Sequence, residues 1–342
     1  MSMTPHRLPS LAVPLVAVLA LLLPACRSAP PSTGTVATAT REALKTREGY
    51  LPGTDGMRLY YQLEGTGPEV LVFVQGGPGG DLREASPDFE VLTKGRTVIY
   101  YDHRGGGRST LPEDASLLTI DALVEDLEAV RRHFGLERMD VVAFSFGPIV
   151  AGRYAAKYPE RVRRLLLVGA VGPRRVPYSE QYGKALFGLA TEAQRRRMME
   201  LFQTWETAED PISLCREYWS ITGPLLMSAE GRARKRAEDC VGTPESVRYG
   251  LTKTSPRVIA SLGDWDLRGE LAGVRATTLV IHGEGDLFPL EGAREWAASI
   301  PGARLLAVPG AGHAPHLERP DLFEPAVDAF LEGQWPGDAR AP

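Results

Sequence analysis

The chain has 342 residues, 43% of them hydrophobic and 24% charged, with a formal net charge of -4. That composition is enough for one large core, or for one core carrying an inserted subdomain. It gives no reason to expect nucleic acid or an anionic surface as partner, and no His/Cys/Asp cluster has ligand spacing, so neither a metal nor a cofactor is expected.

The first stretch reads as a secretory signal. His6 and Arg7 precede the apolar run Leu11 to Leu23, which is about half the roughly 20 residues a membrane-spanning helix needs and is interrupted by Pro14. Its end, Leu23-Pro24-Ala25-Cys26, resembles a bacterial lipobox, in which the signal is cut before the cysteine and Cys26 then carries the lipid. Pro24 is unusual for that pattern, which leaves cleavage by an ordinary signal peptidase as the alternative. Residues 26–48 are small, polar and Pro-containing, the composition of a flexible tether. The product is therefore expected to be exported, held at a membrane through Cys26 or else periplasmic or secreted. With Cys26 set aside, Cys215 and Cys240 remain as one pair. An oxidising compartment predicts a disulfide between them, against the alternative of two buried free thiols.

From Gly49 the pattern becomes globular. Met57, Leu59, Tyr61 and Leu63 alternate with Arg58, Tyr60, Gln62 and Glu64, as in a half-buried antiparallel strand. Val70–Val74 is an apolar run of the doubly buried kind, and Thr97–Tyr101 reads as a third strand. The first ends at Gln75-Gly76-Gly77-Pro78-Gly79-Gly80, the second at Asp102-His103-Arg104-Gly105-Gly106-Gly107-Arg108-Ser109. Leu123, Leu127, Val130 and Phe134 share one face of a helix that Thr119 can cap. The β-branched run at Met139–Ala143 then stops at a small-x-Ser-x-Gly turn around Ser145, and a helical pattern follows at once. Leu165–Val168 is the next strand. Strands alternating with helices predict an α/β fold with a mostly parallel sheet and helices on both faces.

After Gly172 the rhythm breaks. Residues 173–266 show helical patterns and many aromatics, and read as a helical cap inserted into a core made of 49–172 and 267–336. The arginine clusters at 195–197 and 232–236 read as solvated helix faces. The sheet resumes with Thr278–His282, ending at Asp286, and with Leu305–Val308, ending at His313. A last helix begins near Pro320, with a kink or late start expected at Pro325.

Three reactive side chains thus fall just beyond the C-terminal ends of parallel strands, where open α/β sheets place their crevices. Ser145, Asp286 and His313 also follow in the chain order of a strand-turn-helix nucleophile elbow. Ser145 would attack a carbonyl, His313 would take and return its proton, and Asp286 would fix the imidazole. Glu284 is the rival acid and His316 the rival base.

The glycine loop at 75–79, the segment 102–109, the serine turn, and Gly310-Ala311-Gly312-His313 with Glu318-Arg319-Pro320 together resemble the α/β-hydrolase superfamily, and within it the proline iminopeptidase branch of serine peptidases. The resemblance implies an oxyanion hole of backbone N–H groups at Gly77, Gly76 and Phe146. It also implies an acyl pocket walled by Phe146, and substrate binding by Trp205 and Glu206, the latter on a free α-ammonium. Gln75, His103 and Ala143 depart from the family pattern. Asp102 and Arg104 are expected to tie down the loop over the serine turn. The expected substrate is a small peptide or amide with a free N-terminal residue; an ester is the alternative, and a catalytically silent binding lipoprotein is the alternative of another class.

Overall fold

The computed structural model describes residues 47–342. The expected signal segment, Cys26 and residues 26–46 of the expected tether lie outside the described residues.

Eight strands form one sheet: β1 (Glu48–Pro52), β2 (Arg58–Gly65), β3 (Glu69–Val74), β4 (Arg96–Tyr101), β5 (Met139–Phe144), β6 (Val162–Val168), β7 (Thr277–Gly283) and β8 (Arg304–Val308). Their order across the sheet is β1-β2-β4-β3-β5-β6-β7-β8. The β1–β2 and β2–β4 pairs are antiparallel, and every later pair is parallel. β1 has no clear apolar alternation and was not expected. Arg47 helps to dock it by donating to the carbonyls of Leu63 (2.8 Å) and Gly65 (2.6 Å). Tyr60 was expected to face solvent but is buried, because the Arg108 guanidinium stacks 3.6 Å over its ring.

The parallel strands require crossovers, and these supply the covering layers. Helix α1 (Ile120–His133) starts where Thr119 accepts from the Ala122 amide at 3.1 Å. With α2 (Gly147–Lys157) it covers one sheet face, burying Leu123, Leu127, Val130, Ile149 and Val150 against Val72, Ala143 and Leu165. The insertion between β6 and β7 contains α3 (Tyr178–Leu189), α4 (Glu192–Thr204), α5 (Pro211–Leu226), α6 (Ala229–Arg234), α7 (Pro244–Tyr249) and α8 (Ser255–Ser261). Its two ends are pinned together by an antiparallel bridge between Arg174 and Asp266. Then come α9 (Arg268–Leu271), α10 (Leu290–Ser299), α11 (Pro315–Glu318) and α12 (Pro320–Leu331). The last helix runs through Pro325 without a break. Its inner residues Phe323, Val327, Phe330 and Leu331 pack with Phe73 and Phe89 on the other sheet face, and this burial outweighs one missing backbone bond. The chain stays ordered past the expected end at 336, since Leu305 and Arg340 exchange two backbone hydrogen bonds of 2.8 Å.

Cys215 on α5 and Cys240 are joined by a disulfide with their Cα atoms 6.0 Å apart. The second arginine cluster is solvent-exposed at Arg234 and Arg236, and it also makes contacts with the core. Arg234 donates to the Leu317 carbonyl at 3.0 Å, and Arg236 pairs with Glu90 at 2.6 Å, so it fastens the insertion onto the core.

Arg104, fully buried, fastens the 102–109 loop to α1. It donates to both oxygens of Asp126 at 2.6 and 2.8 Å and to Asp55 at 2.9 Å. Removing one partner of a buried pair leaves the other charge uncompensated. Arg104→Met is therefore expected to lower unfolding stability by about 3–5 kcal/mol in urea titrations, and a loss below about 1 kcal/mol would show that the pair does not anchor the loop.

Candidate active site

Ser145 follows β5 directly and sits at φ 60°. A left-handed backbone at a residue other than Gly costs about 1–3 kcal/mol and persists only where its surroundings enforce it. Here both of its backbone groups are tied down: its N–H donates to the Val168 carbonyl and its own carbonyl accepts from Val171, each at 2.9 Å. Gly147 begins α2 so close to β3 that a Cβ there would lie 2.3 Å from the Val74 carbonyl oxygen. The same demand does not apply at Ala143, whose methyl group fills the apolar core.

The other two side chains meet the serine from the ends of β7 and β8. His313 Nε2 lies 3.0 Å from Ser145 Oγ, and its Nδ1 lies 2.9 Å from Asp286 Oδ2. A carboxylate only accepts, so the ring proton belongs on Nδ1 and Nε2 is free to accept from the serine hydroxyl. The second Asp286 oxygen accepts from the Phe288 amide at 3.0 Å. Glu284 is exposed and makes no contact with the imidazole. His316 is stacked on Phe89 with ring centroids 3.9 Å apart, and burial holds it down to about 3, so it is a neutral packing residue. Burial also works against protonation of His313, but the charge and hydrogen bond of Asp286, with the charge of Glu318, outweigh it and leave its pKa above the ordinary 6.5.

Glu318 lies in a segment that carries the family resemblance, but the sequence assigned it no role. One carboxylate oxygen accepts from the amides on both sides of His313, Gly312 (3.0 Å) and Ala314 (3.1 Å), and the other accepts from Ser228 at 2.8 Å. The His313 amide itself donates to the Leu226 carbonyl at the end of α5, at 3.0 Å. Core and insertion are therefore joined at the histidine loop.

The glycine loop after β3 passes directly over the serine: a Cβ on Gly76 would lie 2.8 Å from Ser145 Cβ. The Gln75 amide steadies it by donating to the Gly80 carbonyl at 3.0 Å. Among the described residues, the N–H groups of Gly76, Gly77 and Phe146 donate to no protein acceptor, which leaves them available as oxyanion donors. Gly79 packs against the π-helical turn Gly250–Thr254, and a Cβ there would stand 2.8 Å from Gly250 Cα. Asp102 accepts from the amides of Leu82 (2.6 Å) and Arg108 (2.8 Å) and so braces the loop. His103, the other departure from the family pattern, is buried edge-on to Tyr101 and is held by burial at about 4.

Two expectations need correction. The Phe146 side chain joins the core beneath the sheet and does not wall the cavity at Ser145; that place is taken by Phe144 from the preceding strand, with Phe89, Trp219 and Leu226. Glu206 is exposed and paired with Lys253 at 2.8 Å, which holds its carboxyl below the usual range. Together with Trp205, which packs against Phe202 and Tyr218, it lines a second cavity of about 660 Å³. The Ser145 cavity, about 570 Å³, contains neither residue in its wall. Exposed pairs and surface carboxylates look alike in a sequence, and only the fold separates them.

Residues 69–320 match the family described as alpha/beta hydrolase fold. The chain is 26% identical over 295 residues to a proline iminopeptidase of Saccharolobus solfataricus, covering 85% of this chain and 94% of that one. A proline iminopeptidase of Clostridioides difficile is 25% identical over 303 residues, with 84% and 99% covered. The crystal structure of proline iminopeptidase from Mycobacterium smegmatis superposes with a TM-score of 0.60 at 25% identity, covering 83% of this chain and 97% of that chain. The chain belongs to the α/β-hydrolase family. It is a hydrolase of the branch that resembles the proline iminopeptidases.

Because Glu318 contributes charge to His313, Glu318→Gln is expected to move the imidazole titration to lower pH, followed by NMR of the ring. The substituted amide cannot accept from all three backbone donors, so a stability loss of about 1–3 kcal/mol should accompany the shift. An unmoved His313 midpoint in a folded variant would remove Glu318 from the electrostatics of the site.

Proposed function

We propose that the protein is an exported serine hydrolase acting through Ser145, His313 and Asp286, and that it is an aminopeptidase of the proline iminopeptidase type. The observation that carries this reading is the continuous hydrogen-bonded line from Asp286 through His313 to Ser145 Oγ, at 2.9 and 3.0 Å, beneath unpaired backbone amides. As Ser145 Oγ bonds to the scissile carbonyl carbon, its proton passes to His313 Nε2. The carbonyl oxygen becomes an oxyanion within reach of the Gly77 and Phe146 amides, where each donor contributes about 3 kcal/mol to lowering the barrier. Collapse breaks the C–N bond, and the proton on Nε2 goes to the departing amine. Water then enters along the same path, loses a proton to Nε2 and bonds to the acyl carbon; the bond from that carbon to Ser145 Oγ breaks, Nε2 returns the proton to Oγ, and the acid leaves.

The names of the relatives support a peptidase. A carboxylesterase is the second reading, favoured by the apolar lining that Phe89, Phe144, Trp219 and Leu226 give the cavity. Export is supported by the disulfide, a bond that persists in oxidising compartments. Lipid attachment at Cys26 is the proposed anchor.

A fluorophosphonate probe is expected to label the wild type and not Ser145→Ala. Prolyl and alanyl p-nitroanilides should be hydrolysed; turnover of p-nitrophenyl esters alone would replace the peptidase by the esterase. Since His313 must be neutral to accept the serine proton and its pKa is raised, labelling and turnover should fall as pH drops through a midpoint above 6.5. A rate flat down to pH 4 would contradict its role as base. Cys26→Ser should shift the protein from the membrane fraction to the soluble fraction, and unchanged fractionation would rule out the anchor.

A further inference from the structure

One wall of the Ser145 cavity carries a carboxyl group with no cation beside it. Glu84 ends a short 3-10 turn, Leu82–Glu84, that follows the glycine loop, and its side chain lines both the Ser145 cavity and the neighbouring aromatic one. Oε1 accepts from the Val241 amide at 3.0 Å. Oε2 faces Gly80, where an added Cβ would stand only 3.1 Å away. Among the described residues no Lys, Arg or His forms an ion pair or hydrogen bond with this carboxyl.

Its charged neighbours are engaged elsewhere. Asp81 is paired with Arg83 at 2.7 Å and Asp239 with Lys235 at 2.9 Å. Arg216 donates to the Asp239 carbonyl at 3.3 Å and Arg232 to the Met227 carbonyl at 2.6 Å. Burial, reinforced by the charges of Asp81 and Asp239, raises Glu84 to about 8 against the pull of the Val241 and Asp81 amides. A group in that condition gains most from an incoming positive charge, which would stabilise its ionised form.

We propose that Glu84 is the specificity-determining residue of the Ser145 cavity, accepting a charge-assisted hydrogen bond from an ammonium group on the substrate close to the acyl carbonyl. The spacing follows from the glycine loop. Gly76 lies against Ser145, the Gly80 amide bonds back to the Gly77 carbonyl at 3.3 Å, and Gly80 lies against Glu84, so the carboxyl and the nucleophile flank the same loop and line the same cavity. A free N-terminal residue carries its ammonium one carbon away from its carbonyl, so one cavity can address both. The proposal deepens the reading of Ser145 as nucleophile and rests on it.

The test is equilibrium binding of L-prolinamide and N-acetyl-L-prolinamide to the purified full chain by titration calorimetry. The wild type should prefer prolinamide. Glu84→Gln should weaken prolinamide by roughly tenfold or more and the acetylated compound by much less. Gly80→Ala, which crowds Oε2 without removing the charge, should reduce the same preference and serves if the glutamine variant does not fold, as judged by circular dichroism. No prolinamide binding by the wild type, no preference over the acetylated compound, or a preference unchanged in a folded variant would each overturn the assignment. Fluorophosphonate labelling of the wild type tests Ser145 separately: labelling without ammonium preference sinks Glu84 alone, and ammonium preference without labelling sinks the nucleophile.

Discussion

The site depends on keeping one residue in a backbone conformation it would not choose. Ser145 at φ 60° costs about 1–3 kcal/mol, and two backbone hydrogen bonds of 2.9 Å, each contributing about 1 kcal/mol net, are comparable in size. The packing of β5 and α2 settles the balance. β5 is buried among Leu71, Val72 and Leu165–Leu167, while α2 sets Ile149 and Val150 into the same core. The strand cannot retreat and the helix cannot slide, so the turn between them stays sharp. Only then does the hydroxyl stand clear of the sheet edge, where a glycine loop with no side chains can pass over it.

The same logic extends to the histidine, which the sheet does not hold as firmly. β8 delivers the chain to Pro309, after which a glycine-rich loop would be free to wander. Glu318 prevents this by gathering three backbone donors, one of them from the start of α6. Hydrogen bonds to a charged acceptor contribute about 1.5–3 kcal/mol each, enough together to offset the desolvation of one carboxylate. Leu226 adds a carbonyl from the end of α5. The insertion is therefore part of what positions His313, and Arg234 and Arg236 strengthen that attachment.

The sequence carried the periodic features well. Apolar runs marked the parallel strands, Thr119 marked the start of α1, and three reactive residues at strand ends are side chains the fold brings within hydrogen-bonding distance. What it could not carry were contacts that bring distant segments together without a local pattern. β1 joins the sheet through edge pairing and Arg47 rather than through alternation. Phe146 turns its ring into the core because α2 starts immediately after it, whereas Phe144, one step before the serine on the opposite side of the strand, faces the cavity. Glu206 lines the second cavity and not the one at Ser145, and it pairs there with Lys253. Each of these is decided by which way a side chain points once the fold is closed, and residue type alone does not encode that direction.

The placement of charge around the cavity follows from these closures. Every loop brought over the serine carries acidic groups: Asp81 and Glu84 after the glycine loop, Asp102 after β4, Asp239 beside the disulfide at Cys240. Asp102 is consumed by backbone donors, Asp81 by Arg83 and Asp239 by Lys235. Glu84 receives only the Val241 amide as a hydrogen bond from another segment, and the disulfide one residue earlier holds that segment to α5. The order imposed on the insertion by Cys215 and Cys240 thus reaches the cavity as one oriented carboxyl, at the boundary between an apolar acyl-sized space and a second, aromatic one. Of these four acidic groups, Glu84 alone has no cation beside it, so an incoming cation would meet it without displacing another partner.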